Sequence, residues 1–175
     1  MKVIVDYFPA AMVYTSRNEG GYANDPYDPG GETIYGIAKN MHEAKFTEVY
    51  ELHKGAQYNE ARRVAEQFYR AEYWNELYNY MHLKSLAIKL FDLGVNIGKK
   101  RSVKLLQKCI NELSGSGIKV DGIFGPVTLR ELNLLDGYSV YALFMVKAED
   151  YYRSLKTFWR FGRGWLRRLY DKPVR

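Results

Sequence analysis

Glu19-Gly20-Gly21-Tyr22-Ala23-Asn24-Asp25-Pro26-Tyr27-Asp28-Pro29-Gly30-Gly31-Glu32-Thr33-Ile34-Tyr35-Gly36-Ile37 packs four acidic residues, five glycines and two prolines into nineteen positions. Paired glycines and Asp-Pro steps break regular structure, and glycine lets backbone approach a ligand closely. So many carboxylates in one loop are costly unless the loop turns back and engages something. The stretch therefore reads as a functional loop, and the remaining chain as the scaffold that holds it.

Upstream, residues 6–18 read as a first helix, with Asp6 as N-cap, Pro9 tolerated in the first turn and Gly20-Gly21 ending it. Glu19 then sits beside a helix C-terminus, where the dipole opposes ionisation and favours the protonated carboxyl. Downstream, the β-branched and aromatic run 33–37 suits one short strand or hairpin arm. Helical spacing follows over 46–53 and 59–80, and the apolar stripe Leu86, Leu90, Leu93, Ile97 marks 84–97 as the candidate central helix. Residues 100–113 are amphipathic. Compact turns at 114–117 and 120–126 precede a short helix over 128–135 and a long one over 138–156. The tail mixes Trp159, Phe161 and Trp165 with Arg160, Arg163, Arg167 and Arg168. There Trp165 is expected to close the core, with the arginines forming a solvated or wall-facing side. The whole is an α+β domain, mostly α.

A chain of 175 residues suffices for one well-filled core. Sixteen tyrosines point mildly to a surface that stacks on sugars, bases or proteins. With 26 basic and 20 acidic side chains the net charge is +6, which suits an anionic polymer, acidic lipid or nucleic acid without choosing among them. Cys109 is the one cysteine, so no intrachain disulfide forms, and its place on an apolar stripe predicts a buried small hydrophobe. His42, His53 and His82 lack metal-ligand spacing and read as surface residues. Asp25, Asp28 and Glu32 lack the ordered spacing of an EF-hand, so neither metal nor cofactor is expected. No run reaches the roughly 18 apolar residues of a membrane span. The first thirteen residues also lack the apolar core of a signal peptide.

Hydrolysis of a glycosidic bond needs a carboxylic acid to protonate the leaving oxygen, and usually a second carboxylate for the water or the sugar cation. Glu19 and Asp28 are separated by eight residues, and Thr33 follows where its hydroxyl can hold a water. Asp28 stands equally as the second carboxylate or as an Asx-turn residue before Pro29. Thr33 stands equally as a water-positioning group or a plain strand residue. Tyr22 and Tyr35 line a sugar groove or pack in the core. Asn96 either caps a break before Gly98 or faces the cleft and bonds an acetamido group. A nucleic-acid-binding tail is the poorer alternative for the Arg/Trp mixture.

In outline, Glu19, Asp28 and Thr33 resemble the pattern of phage-type lysozymes, although the Asp-to-Thr gap is one residue shorter here. The fuller string, Glu19-Gly-Gly-Tyr22, Asn24-Asp25-Pro26, Asp28-Pro-Gly-Gly31, Thr33 and Gly36-Ile37, resembles the signature of glycoside hydrolase family 108. That family comprises N-acetylmuramidases of phage endolysins and bacterial proteins once labelled secretion activators. The resemblance continues through Asp92-Leu-Gly-Val95-Asn96-Ile-Gly98, Leu106-Gln107 and Val120-Asp121-Gly122-Ile123-Phe124-Gly125-Pro126-Val-Thr128 to Trp165. It implies a lysozyme-like fold with Glu19 as catalytic acid and cleavage of the β-1,4 bond between N-acetylmuramic acid and N-acetylglucosamine. It also implies a catalytic region over 1–93 and a peptidoglycan-binding helical region over 94–170 within the same globule. The expected partner is the peptidoglycan glycan strand, not nucleic acid, and a monomer is expected. The expected route is cytoplasmic synthesis and release to the wall or periplasm through a holin. A lytic transglycosylase and a non-catalytic wall-binding module are the alternatives.

Overall fold

A computed structural model describes residues 4–17, 21–24 and 31–173. Among them the chain forms eight α-helices and one three-stranded antiparallel sheet, the mostly helical α+β architecture the sequence predicts. Two compact units result, Met12–Trp74 and Met1–Ala11 with Asn75–Arg175. Residues 93 and 94 fall inside a helix of the second. Helix α1 (Phe8–Ser16) starts where expected, the Asp6 carboxylate accepting from the Phe8 N–H at 3.0 Å.

The first unit holds the sheet. Strands β1 (Tyr22–Asn24), β2 (Glu32–Ile34) and β3 (Ile37–Ala38) lie in that order. The run 33–37, expected as one short strand or hairpin arm, is the end of β2, a turn and the start of β3. Tyr35 and Gly36 both take positive φ, 46° and 78°, and reverse the chain between them. Positive φ at both central residues is the mark of the primed two-residue hairpin, whose twist matches its flanking strands. Ile34 and Ile37 face each other across the turn, and both are buried. Helix α2 (Glu43–Lys54) packs on β2, β3 and α3 (Tyr58–Glu72), burying Phe46, Val49, Val64 and Phe68. The helix predicted over 59–80 stops at Glu72. Asn75 is extended, and its side chain accepts from the Leu77 N–H at 3.0 Å, starting a separate 3-10 helix at Glu76–Tyr80.

The second unit is built on α4 (Lys84–Ile97), buried along nearly its whole length. A helix apolar on all sides belongs in a core. Helix α5 (Lys99–Ser114) packs on α4 and on α7 (Gly137–Arg153), with α6 (Pro126–Asn133) beside it, and α8 (Phe158–Tyr170) packs on α7. Cys109 is buried as predicted, and burial pushes its thiol up to about 12. Gln107, buried on α5, ties down the turn at 120–126. Its amide donates to Asp121 Oδ1 at 2.9 Å and to the Ile123 carbonyl at 3.1 Å, and its Oε1 accepts from the Gly122 N–H at 2.8 Å. Gly122 has φ 81°, and a Cβ there would meet the Lys100 carbonyl oxygen at 2.5 Å, so only glycine fits. The Asp-Gly motif is thus one half of a structural lock, and Gln107 is the other.

Two charged side chains of α4 are buried against α8. Arg168 pairs with Asp92, Nη2 to Oδ1 at 2.8 Å, and so is not on the solvated side predicted for the arginine run. Lys89 Nζ donates to the carbonyls of Arg168 and Leu169 at 3.0 and 2.7 Å, capping the end of α8 where the dipole is negative. Desolvation lowers the Lys89 pKa to about 8. The unfolded chain, with lysine near its ordinary 10.5, then holds more protons than the folded one between those values. Wild-type stability should therefore rise, relative to Lys89→Met, as pH goes from about 8 towards about 10.5. Paired urea melts across that range check this, and parallel pH dependences of the two proteins would refute it.

Candidate active site

Glu19 and Asp28 lie outside the described residues, as does Asp25. In the chain they flank β1, with residues 25–30 joining Asn24 to Gly31. The described part of the site is the small sheet and the helices behind it. It carries Tyr22, Thr33 and Tyr35. Asn96 belongs to the other unit, half-buried in the last turn of α4, one residue before Ile97 and the Gly98 that ends the helix with φ 94°.

The pleat sorts these side chains. Tyr22 pairs with Ile34, Ala23 with Thr33 and Asn24 with Glu32. Cross-strand partners share a face and neighbours along a strand alternate. Tyr22 and Glu32 therefore share one face and Thr33 takes the other. Thr33 stands between Ala23 and Ala38 in register.

On the first face, three groups form a polar cluster. The exposed Tyr22 hydroxyl donates to Glu32 Oε2 at 3.2 Å, and Lys39 Nζ donates to Oε1 at 3.0 Å. Lys39 holds the Glu32 carboxyl below the usual carboxylate range, and Glu32 in turn raises the lysine. Partial desolvation, with the Glu32 charge, raises the Tyr22 phenol. The Tyr22 ring rests against Tyr50 of α2, centroids 5.5 Å apart. An aromatic edge beside an ionised acceptor and an ammonium donor is the equipment that holds a sugar by stacking and hydrogen bonds. Among the described residues no group of three His, Cys, Asp or Glu side chains is placed to hold a metal.

Tyr35 is the strained residue. An aromatic side chain in the left-handed region is uncommon and is kept there only by surrounding structure. Four contacts do so. Its N–H donates to the Gly21 carbonyl at 3.2 Å, and its own carbonyl accepts from the buried Tyr69 hydroxyl at 3.0 Å. Its hydroxyl and His53 Nδ1 are hydrogen-bonded at 2.9 Å, and the Arg62 guanidinium lies 6.0 Å from its ring centre. His53 is thus not the surface residue predicted, and neither is His42, which packs edge-on against Phe68 at 4.8 Å. His82 is exposed. Sequence reasoning missed the Glu32–Lys39 pair and the role of His53. A hairpin reading centred on Tyr35-Gly36 would have paired the former, because Lys39 lies opposite Glu32 one step beyond Thr33–Ala38. His53 is eighteen residues from Tyr35 and carries no local signal.

Residues 12–98 match the family described as Glycosyl hydrolase 108. Among solved structures, that of Brucella abortus SagA is similar over 93% of this chain and 88% of its own, at 27% identity and a TM-score of 0.72. No curated protein matches the chain.

The strained turn gives a direct test of this geometry. Tyr69→Phe deletes the donor to the Tyr35 carbonyl and should destabilise the fold by about 1–2 kcal/mol. A fall in urea midpoint at unchanged slope is the expected result, and an unchanged midpoint would show that the turn does not need the bond.

Proposed function

Residues 12–98 belong to the glycosyl hydrolase 108 family, and on that premise we propose that the protein is a lysozyme-type N-acetylmuramidase. Its substrate is bacterial peptidoglycan, and the bond cleaved is the β-1,4 link between N-acetylmuramic acid and N-acetylglucosamine. The observation that carries the reading is the family match itself, which takes in the whole Glu19-Gly-Gly-Tyr22 string and the sheet that follows it.

In this reading Glu19 protonates the glycosidic oxygen as the bond breaks, and Asp28 activates the water or stabilises the sugar cation. Thr33, flanked by two alanines, supplies a hydroxyl that can hold that water. Tyr22 offers its exposed ring edge to a sugar, with Glu32 and Lys39 bonding hydroxyl and acetamido groups. Tyr35 contacts the strand through its ring or shapes the hairpin that does. Asn96 bonds an acetamido group if it faces the cleft, and the wall-binding region over 94–170 is assigned on the resemblance alone. The basic balance of the chain, +6, suits an anionic wall polymer.

Turbidity loss of purified sacculi, followed by mass analysis of the released sugars, tests the reading. Wild type should clear the suspension and leave reducing N-acetylmuramic acid ends, while Glu19→Gln should be slower by roughly 10²–10⁴-fold. Anhydro ends would make the enzyme a lytic transglycosylase. Pelleting of both proteins with sacculi, without clearing by either, would leave a wall-binding module.

A further inference from the structure

We infer that the outer face of α8 docks the protein on the surface of an anionic phospholipid membrane. Residues 151–170 contain six basic side chains and no acidic one. Of the six, Arg168 pairs with Asp92, Arg153 with Glu149, and the Arg160 guanidinium lies 5.4 Å from the Phe161 ring centre. Arg160, Arg163 and Arg167 lie on α8 and all are exposed. At 100° per residue they fall within an arc of about 60°, with Trp159 and Tyr170 bordering it on the same side. Arg163 and Arg167 make no ion pair among the described residues. The nearby carboxylate of Glu149 is already taken by Arg153 and by the Tyr170 hydroxyl.

The two tryptophans of α8 have different surroundings. Trp165 stacks on Tyr152 at 5.3 Å and lies 5.7 Å from Phe161, inside the packing of α7 and α8. Trp159 is 82% exposed, and no ring contact or hydrogen bond holds it among the described residues. One exposed apolar residue needs no explanation. An exposed indole beside a row of arginines, bordered by a tyrosine one helix length away, is a combination that fits one kind of partner. Indole and phenol rings favour the headgroup level of a bilayer, and guanidinium groups pair with lipid phosphates there. The side of a helix is convex and presents its charges along a line of about 10 Å, which suits a plane of phosphates. Single-stranded polymers are instead held in grooves lined with charge and stacking rings. Nor does α8 span a bilayer: no described helix is long and apolar enough to do so. The inference concerns α8 and does not rest on the hydrolase reading.

Co-sedimentation of the full chain with phosphatidylglycerol–phosphatidylcholine vesicles, against phosphatidylcholine alone, tests it. Wild type should bind only the anionic vesicles, more weakly as salt is raised, with a blue shift of tryptophan emission. Each arginine near an anionic leaflet is worth roughly fivefold, so Arg160→Gln/Arg163→Gln/Arg167→Gln should lose on the order of a hundredfold. Lys84→Gln/Lys108→Gln/Lys119→Gln removes the same charge elsewhere on the surface and should retain most of the binding. Trp159→Ala should abolish the blue shift and weaken binding several-fold, a readout that stands even if the arginine variant folds poorly. Equal losses in the two triple variants would mean that net charge alone attracts the protein, and would overturn the inference. So would wild type that ignores anionic vesicles at low salt, or arginine-dependent pelleting with sacculi or nucleic acid in its place.

Discussion

The left-handed backbone at Tyr35 is the constraint on which the described site depends. A two-residue hairpin needs positive φ at both central positions, and here one of them is an aromatic residue. That conformation costs roughly 1–2 kcal/mol against an ordinary one. It is held by groups from three places: the Gly21 carbonyl just beyond Glu19 in sequence, His53 at the end of α2, and Tyr69 on α3. Because the turn fixes register, it also decides which side chains share a face. With Ile34 opposite Ile37, Thr33 must lie opposite Ala38, and Glu32 must come beside Lys39. Slippage by one residue would turn Ile34 outwards and break the Glu32 cluster.

The other unit solves a different problem, which is how to hold a basic helix on an apolar one. The buried residues of α4 are apolar except Lys89 and Asp92, and both side chains meet the end of α8. The lysine caps backbone carbonyls while the aspartate takes the Arg168 guanidinium. Removing one partner of such a buried pair leaves a charge without compensation, which is costlier than removing both. Fixing Arg168 inwards also sets the rotation of α8, and with it the face that carries Trp159, Arg160, Arg163 and Arg167.

What could be read from sequence follows from the range of the signals. The apolar stripe of 84–97 and the amphipathic pattern of 100–113 are local and periodic, and the helices found there agree with them within a residue. The run-on of 59–80 failed because apolar spacing continues past Tyr73, whereas a single Asn75 side chain bond ends the pattern. Helix α8 was hidden because Gly162 and Gly164 weaken helical propensity, although buried Gly162 sits under the Phe158 ring with no room for a Cβ. Strands of two and three residues are too short for alternation to show. Arg168 looks like its neighbours in the run, and only tertiary packing separates it from them. For the site, the motif string pointed to the family, but the Glu32–Lys39 and Tyr35–His53 pairings are contacts between elements.

The central claim is that a glycan strand is bound on the sheet formed by Tyr22–Asn24, Glu32–Ile34 and Ile37–Ala38. The most direct measurement is an amide chemical-shift titration of catalytically slowed Glu19→Gln with a soluble N-acetylmuramoyl–N-acetylglucosamine tetrasaccharide. Saturable shifts at Tyr22, Glu32, Thr33 and Lys39, with α8 unmoved, are the predicted result. Shifts confined to residues 99–170, with the sheet silent, would contradict it.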